Sequence, residues 1–181
     1  MNRYATTVRR WWAVPPALLA LVLVCRTAGA LELPVPSLSG GTTGARLDHL
    51  APLIVVAAVM YCLDRGIPEA EATAVAPVRT LDAAALLLTG ALTHPAAPLV
   101  GLAVPRNTLL LLAVAVLAHR LTHATGATFT ALGALFLTLL IADPGDPYWW
   151  ALPLHPSDSL PAWLASAVLF GAALWFKGAR R

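Results

Sequence analysis

Charge is what this chain has least of. Only 12% of its 181 residues are Asp, Glu, Lys or Arg, against 59% hydrophobic, and mean hydropathy is +0.74. A soluble domain carries roughly 25% charged residues, so the composition excludes an ordinary water-soluble globule. The net charge of +3 is small, and no basic patch interleaved with aromatics occurs, so a nucleic-acid partner is excluded too. Cysteine is also scarce: Cys25 and Cys62 each sit inside an apolar run, and without a CxxC a thiol-redox enzyme has no support. If the two runs cross a membrane in opposite directions, the cysteines lie ~15 Å apart in depth at 1.5 Å per residue. A disulfide needs its Cα atoms within about 7 Å, so both read as packing residues. GxSxG, HExxH and GxxxxGK[ST] are all missing, which leaves ester, peptide and nucleotide hydrolysis without local support. The expectation is a protein that is not an enzyme and needs no cofactor.

Long apolar runs are what the chain does have. A spanning helix needs about 20 mostly apolar residues, so the length holds roughly six spans with short loops and no separate soluble domain. The expected fold is all-α: a polytopic transmembrane helix bundle in one integral membrane domain, 1–181, with spans at about 12–31, 47–63, 81–101, 102–119, 125–142 and 160–176. Arg3, Arg9 and Arg10 precede Trp11 and Trp12, a basic flank followed by rings suited to the headgroup level. The basic start, the apolar ALLALVLV and Ala28-Gly29-Ala30 also imitate a signal peptide, but Arg26 interrupts the approach to that cleavage site, and a retained first span is expected. Glu32 to Gly44, rich in Pro and Gly, reads as a turn-rich loop. Pro68 to Ala76 reads as a short inner helix with proline at its first position, Glu69 and Glu71 in its first turn and Pro77 beyond; a solvated linker is the alternative. His94, Pro95 and Pro98 break the third span, and Tyr148, Trp149 and Trp150 mark an interface in the loop before the sixth.

Lys and Arg set the orientation. With the N-terminus inside, the inner side holds Arg3, Arg9, Arg10, Arg65, Arg79, Arg120, Lys177, Arg180 and Arg181. The outer side and span interiors hold Arg26, Arg46 and Arg106. This bias puts both termini in the cytosol of a multi-pass cell-membrane protein, and no other even count of spans separates the charges as well. Gly126, Thr130 and Ala134 on the fifth span, with Ala167 and Gly171 on the sixth, would permit close helix contacts.

A few polar residues could carry function. Arg106 leads, because an arginine at mid-membrane costs about 2.5–3.5 kcal/mol on the insertion scale and is tolerated when it faces a cavity or partner. Snorkelling to the outer headgroups is its alternative, and Asn107 would assist it as a hydrogen-bonding neighbour. For Arg26 snorkelling is the expected reading. His119 and His123, spaced i, i+4, would share one face of a continuing helix and could hold a metal, with Asp64, Glu69, Glu71 or Asp82 as a third ligand. No diagnostic spacing supports that, so no metal is expected and a solvated helix end is the reading preferred. Asp143, Asp146, His155 and Asp158 read as ordinary turn residues rather than a cation site.

Taken together, the six-span plan, the acidic inner helix at Pro68 to Ala76, Pro105-Arg106-Asn107 at the head of the fourth span and the aromatic segment Tyr148 to Pro156 resemble the small membrane subunits of ABC-2-type exporters. The resemblance is one of layout and covers most of the chain. It implies that the inner loop between the second and third spans touches a separate ABC ATPase, which puts Glu69 and Glu71 in the coupling element. It also implies a re-entrant outer segment between the fifth and sixth spans. The function expected is the membrane subunit of an ATP-driven exporter, dimeric, moving an amphipathic or lipid-like solute, with Arg106 and Asn107 as substrate-path candidates. A non-transport scaffold or assembly protein is the alternative, favoured by the predominance of Ala and Leu, and an intramembrane metal enzyme using His119 and His123 is the third reading.

Overall fold

The structure, a computed structural model, describes residues 8–36, 42–65, 78–141 and 148–178. A 3₁₀ turn at Trp11–Ala13 leads into α1 (Val14–Ala28), whose Pro15 and Pro16 stand in the first turn, where a missing N–H has no helical partner to lose. An antiparallel hairpin follows, β1 (Glu32–Pro36) with β2 (Thr42–Arg46), Glu32 opposite Arg46 and Pro36 opposite Thr42. The loop expected over Glu32 to Gly44 is therefore corrected to a two-stranded sheet. Each strand of an isolated pair has a free edge, so Pro34 and Pro36 can sit in β1 with their missing donors turned away from the ladder.

Helices make up most of what remains: α2 (Leu47–Leu50), α3 (Pro52–Leu63), α4 (Val78–Thr93), α5 (Ala97–Val100), α6 (Ala103–Ala118), α7 (Ala124–Ile141) and α8 (Leu160–Gly178), with a 3₁₀ turn at Leu152–Leu154 before the last. The expected helical character holds, with the hairpin as the exception. Two helical stretches, Trp11–Ala28 and Ala124–Ile141, are long and apolar enough to cross a membrane. The apolar helices Leu47–Leu63, Thr80–Thr93, Ala103–Ala118 and Leu160–Phe176 are 10–17 residues long. Prolines explain part of the shortening: the third expected span stops at Thr93, with Pro95 in the break and Pro98 early in α5. Gly101, between α5 and α6, has φ +89°, a conformation that suits glycine and strains any other residue.

Helix α6 is the central element. It buries every residue from Val104 to Ala113, with Ala115 and Val116, and packs on α3, α4, α7 and α8. Val55, Val59 and Met60 of α3, Leu86 of α4, Leu135 of α7 and Phe170 of α8 complete the core. The opposite faces of the surrounding helices expose Leu19 and Leu23 on α1, Leu87 and Leu88 on α4, Phe129 and Leu137 on α7, and Leu164 and Val168 on α8. The bundle is apolar on both its inner and its outer surfaces.

Side-chain contacts sort the helix ends into two groups. Arg9 bonds the Leu63 carbonyl and pairs with Asp82 at 3.1 Å, Asp64 meets His119 and the Ala124 N–H, and Arg120 lies over the Phe176 ring at 5.9 Å. The starts of α1, α4 and α7 therefore share one end with the finishes of α3, α6 and α8, so these helices run alternately up and down. We call this the termini end. At the opposite, hairpin end lie β1, β2, the head of α6 and the segment Leu152–Pro156.

The small-residue stripe expected to bring helices together is not where they meet. Thr130 and Ala167 are exposed, and a Cβ on Gly171 would meet nothing within 4 Å. On Gly126 it would meet only Thr122, one turn earlier in the chain. The close approach is instead at Gly90 of α4, where a Cβ would come 2.8 Å from Leu109 Cδ2 of α6.

Candidate functional site

The hairpin end holds a buried polar cluster. Pro105, Arg106 and Asn107 fall in the first turns of α6, and α6 is surrounded, so both polar side chains are carried inside: Arg106 is 0% and Asn107 1% exposed. A buried guanidinium must place its donors. Arg106 does so on backbone oxygens: Nη1 donates to the Pro156 carbonyl at 2.7 Å, and Nη2 to those of His155 at 2.8 Å and Pro153 at 3.3 Å. Its Nε donates to Asn107 Oδ1 at 3.3 Å. No carboxylate pairs with Arg106 among the described residues.

Asn107 is oriented by that contact. With Oδ1 facing the guanidinium, Nδ2 donates to the Pro153 carbonyl at 3.1 Å and approaches His49 Nδ1 at 3.5 Å. An amide nitrogen can only donate, so this contact leaves Nδ1 as the acceptor and puts the ring proton on Nε2, 3.9 Å from Asp48 Oδ1. Arg46 closes the chain with an ion pair to Asp48 at 2.7 Å. The segment that Arg106 holds is further fixed by Trp163 Nε1, which donates to the Ser157 carbonyl at 3.0 Å, and by stacking of Tyr148 on Trp150 at 5.8 Å.

No family model matches the sequence, and no curated protein or solved structure matches it. The site therefore rests on its own geometry.

Clefts open at both ends of the bundle among the described residues, including one of about 340 Å³ beside Leu117, Arg120 and Phe176. At the hairpin end a cleft of about 430 Å³ is lined by Trp149, Trp150, Leu152, His155, Pro161 and Ala165. At the termini end one of about 390 Å³ lies between α3 and α7, with Tyr61, Asp64, Arg65, Thr128 and Phe129 among its walls. Arg106 and Asn107 line none of these.

The other expected site residues are dispersed. Glu69 and Glu71, with the whole segment Pro68 to Ala76, lie outside the described residues, as do Asp143 and Asp146. The alternative that would place His119 and His123 on one helix face does not form: α6 ends at Ala118, His119 caps it, and His123 is exposed just ahead of α7. Among the described residues no three His, Cys, Asp or Glu side chains gather as a metal site would need. Cys25 and Cys62 are free thiols, the second donating to the Arg10 carbonyl at 3.3 Å. Arg26 is exposed at the end of α1.

Two features escaped the sequence reading. Arg9, expected in a basic flank on the inner side, is buried against Asp82 and the Leu63 carbonyl. The signal was present in Asp82, a carboxylate at the start of an apolar run that needs a cation at its own depth. His49 joins the Arg106 cluster because α2 ends beside the head of α6, which no local pattern announces.

Proposed function

We propose that the chain is a multi-pass protein of the cell membrane, both termini cytosolic, and that it serves as the membrane subunit of an ATP-driven, ABC-type export system for an amphipathic or lipid-like solute. The membrane part is supported by the apolar girdle on α1, α4, α7 and α8, since each large side chain left in water forfeits about 1.5–3 kcal/mol. Orientation is supported by charge: Arg9, Arg10, Arg65 and Arg120 stand at the termini end and Arg26, Arg46 and Arg106 at or near the hairpin end, so the termini end faces the cytosol. The short helices are extended by their broken neighbours, α2 ahead of α3 and α5 after α4.

One observation supports the export part: a wholly buried Arg106–Asn107 pair ties the segment between α7 and α8 to the head of the central helix. Any displacement of α6 is thereby passed to the outer face, where a solute would leave. The acidic residues Glu69 and Glu71 fall on the cytosolic side in this scheme and are the contacts for the ATPase, with a homodimer completing the path. Co-expression with ABC ATPases encoded beside this chain is expected to give a complex that survives detergent purification and is lost in Glu69→Lys/Glu71→Lys. Failure with every such ATPase would sink the proposal.

A second reading, a non-transport scaffold or assembly protein, is favoured by where the Arg106 and Asn107 donors go. They are spent on backbone carbonyls and on each other, and neither residue opens onto a cleft. Reconstituted with its ATPase, an exporter accelerates ATP hydrolysis when amphipathic solute is added, whereas a scaffold leaves it unchanged.

A further inference from the structure

Tyr61, in the last turn of α3, is held between two arginines. The Arg65 guanidinium lies 4.4 Å from the ring centroid, and Arg10 Nη1 donates to Tyr61 Oη at 3.1 Å. Arg9 and Arg46 have carboxylate partners, but neither Arg10 nor Arg65 forms an ion pair among the described residues. The ring face attracts a cation without neutralising it, so two like charges remain gathered at one phenol. Arg10 is brought there at a backbone cost: with φ 54° and ψ 38° it is the only non-glycine with positive φ among the described residues. Such strain persists when the surroundings enforce it, and it collects at binding sites.

The same tyrosine lines the 390 Å³ cleft between α3 and α7. The cleft is amphipathic, with Arg65 at its mouth, the Thr125 and Thr128 hydroxyl groups beside it, and Ala57 and Phe129 further along. Phe129 is exposed on the outward face of α7, within the apolar girdle, so the cleft opens towards what surrounds the bundle. Asp64, the acid in the lining, is already engaged: its Oδ1 accepts from the Ala124 N–H at 3.4 Å and lies 3.9 Å from His119 Nε2. With Arg10 and Arg65 set against Asp64, the Tyr61 end keeps one net positive charge beside an apolar floor of Ala57 and Phe129.

We propose that this cleft binds an anionic phospholipid, its phosphate on Arg65 beside the Tyr61 phenol that Arg10 holds, and one acyl chain along Ala57 and Phe129. The inference rests on the membrane reading above, which places this end at the cytosolic leaflet. Charge complementarity selects the anion, and the apolar floor, useless to a free phosphate, selects the lipid.

The test is native mass spectrometry of the full chain in detergent, titrated with palmitoyl-oleoyl phosphatidylglycerol and with the matching phosphatidylcholine. One phosphatidylglycerol is expected to stay bound, about tenfold more tightly than phosphatidylcholine, whose phosphate is the same but whose choline cation is repelled by Arg65 and Arg10. Arg65→Gln should erase that preference, Arg10→Gln, which frees the Tyr61 phenol and removes the second cation, should reduce it, and Phe129→Ser should weaken both lipids alike. Arg120→Gln, which removes a cation resting on Phe176 at the same end, should leave the preference intact. Excess inorganic phosphate should not displace the lipid. Equal retention of the two lipids, an unchanged Arg65→Gln, an equal loss in Arg120→Gln, or displacement by phosphate alone would each overturn the site. Arg65 is exposed, so its variant decides the matter even if Arg10→Gln fails to fold. Recovery of the protein in the soluble fraction after a carbonate wash would overturn the membrane reading and this site with it. Membrane-bound protein without lipid preference overturns the site alone.

Discussion

The two ends of the bundle solve one problem in different ways. At the termini end Arg9 is buried against a carboxylate, Asp82 at 3.1 Å, and also bonds the Leu63 carbonyl. At the hairpin end Arg106 has no carboxylate among the described residues and is buried against the backbone carbonyls of Pro153, His155 and Pro156, with the Asn107 amide oxygen beside them. The first arrangement brings opposite charges together, and its acidic partner is a side chain that substitution can remove. The second leaves a net positive charge inside and draws on backbone oxygens that no substitution can delete. An ion pair joins two residues, whereas a guanidinium on three carbonyls fixes the path of a whole segment. The hairpin-end arginine should therefore be the less replaceable of the two.

Arg106→Ala is accordingly the most damaging change expected. It takes the guanidinium from the His155 and Pro156 carbonyls and leaves that of Pro153 with Asn107 Nδ2 alone, and we expect a loss of about 3–5 kcal/mol, read as a collapse in monodisperse yield and thermal midpoint in detergent. Arg106→Lys should recover less than half of that, because a point charge cannot reproduce the planar fork that reaches all three oxygens. An Arg106→Ala protein as stable as the parent would dissolve the contrast between the ends.

The termini end sharpens it. Arg9→Leu alone takes the guanidinium at 3.1 Å from the Asp82 carboxylate and should cost about 3 kcal/mol, but Arg9→Leu combined with Asp82→Leu should return to within about 1 kcal/mol of the parent, since buried pairs often yield to apolar residues without loss. The double-mutant cycle on thermal midpoints measures this coupling. No second substitution can rescue Arg106 in the same way. A double variant no better than Arg9→Leu would mean that the carboxylate is not what Arg9 is there to meet.

How far these features were legible depends on which atoms carry them. The helices announced themselves through apolar runs, and Arg106 and Asn107 stood out because a charge and an amide in such a run demand partners. Those partners could not be read, because carbonyls of Pro153, His155 and Pro156 belong to every residue type and leave no mark in a sequence. The hairpin was hidden for the opposite reason. Pro34, Pro36 and Gly44 carry strong loop signals, and the prolines can stand in a strand here because both strands of a two-stranded sheet are edges. Arg9 was placed on the inner side, in a basic flank, by the charge count, which gives the side of the membrane and not the depth. The stripe at Thr130 and Ala167 failed because small residues at helical spacing fit an outward face as well as an interface.

Gly90 and Gly171 turn that last point into a milder pair of predictions. At Gly90 a methyl would meet Leu109 Cδ2 at 2.8 Å, the tip of a flexible side chain, so Gly90→Ala should cost about 1 kcal/mol by overpacking. Adding Leu109→Ala should recover part of that cost, and the cycle between the two positions reads the contact directly.

Gly171→Ala should show the smallest change and the opposite sign. Nothing lies within 4 Å of the added methyl, and replacing glycine inside a helix gains roughly 0.5–1 kcal/mol from backbone entropy. The same variant bears on the homodimer. A second copy packed on this face of α8 would turn the gain into a loss and shift the mass measured by light scattering towards the monomer. A higher thermal midpoint at unchanged mass would assign this face to lipid and leave any dimer contact to another helix.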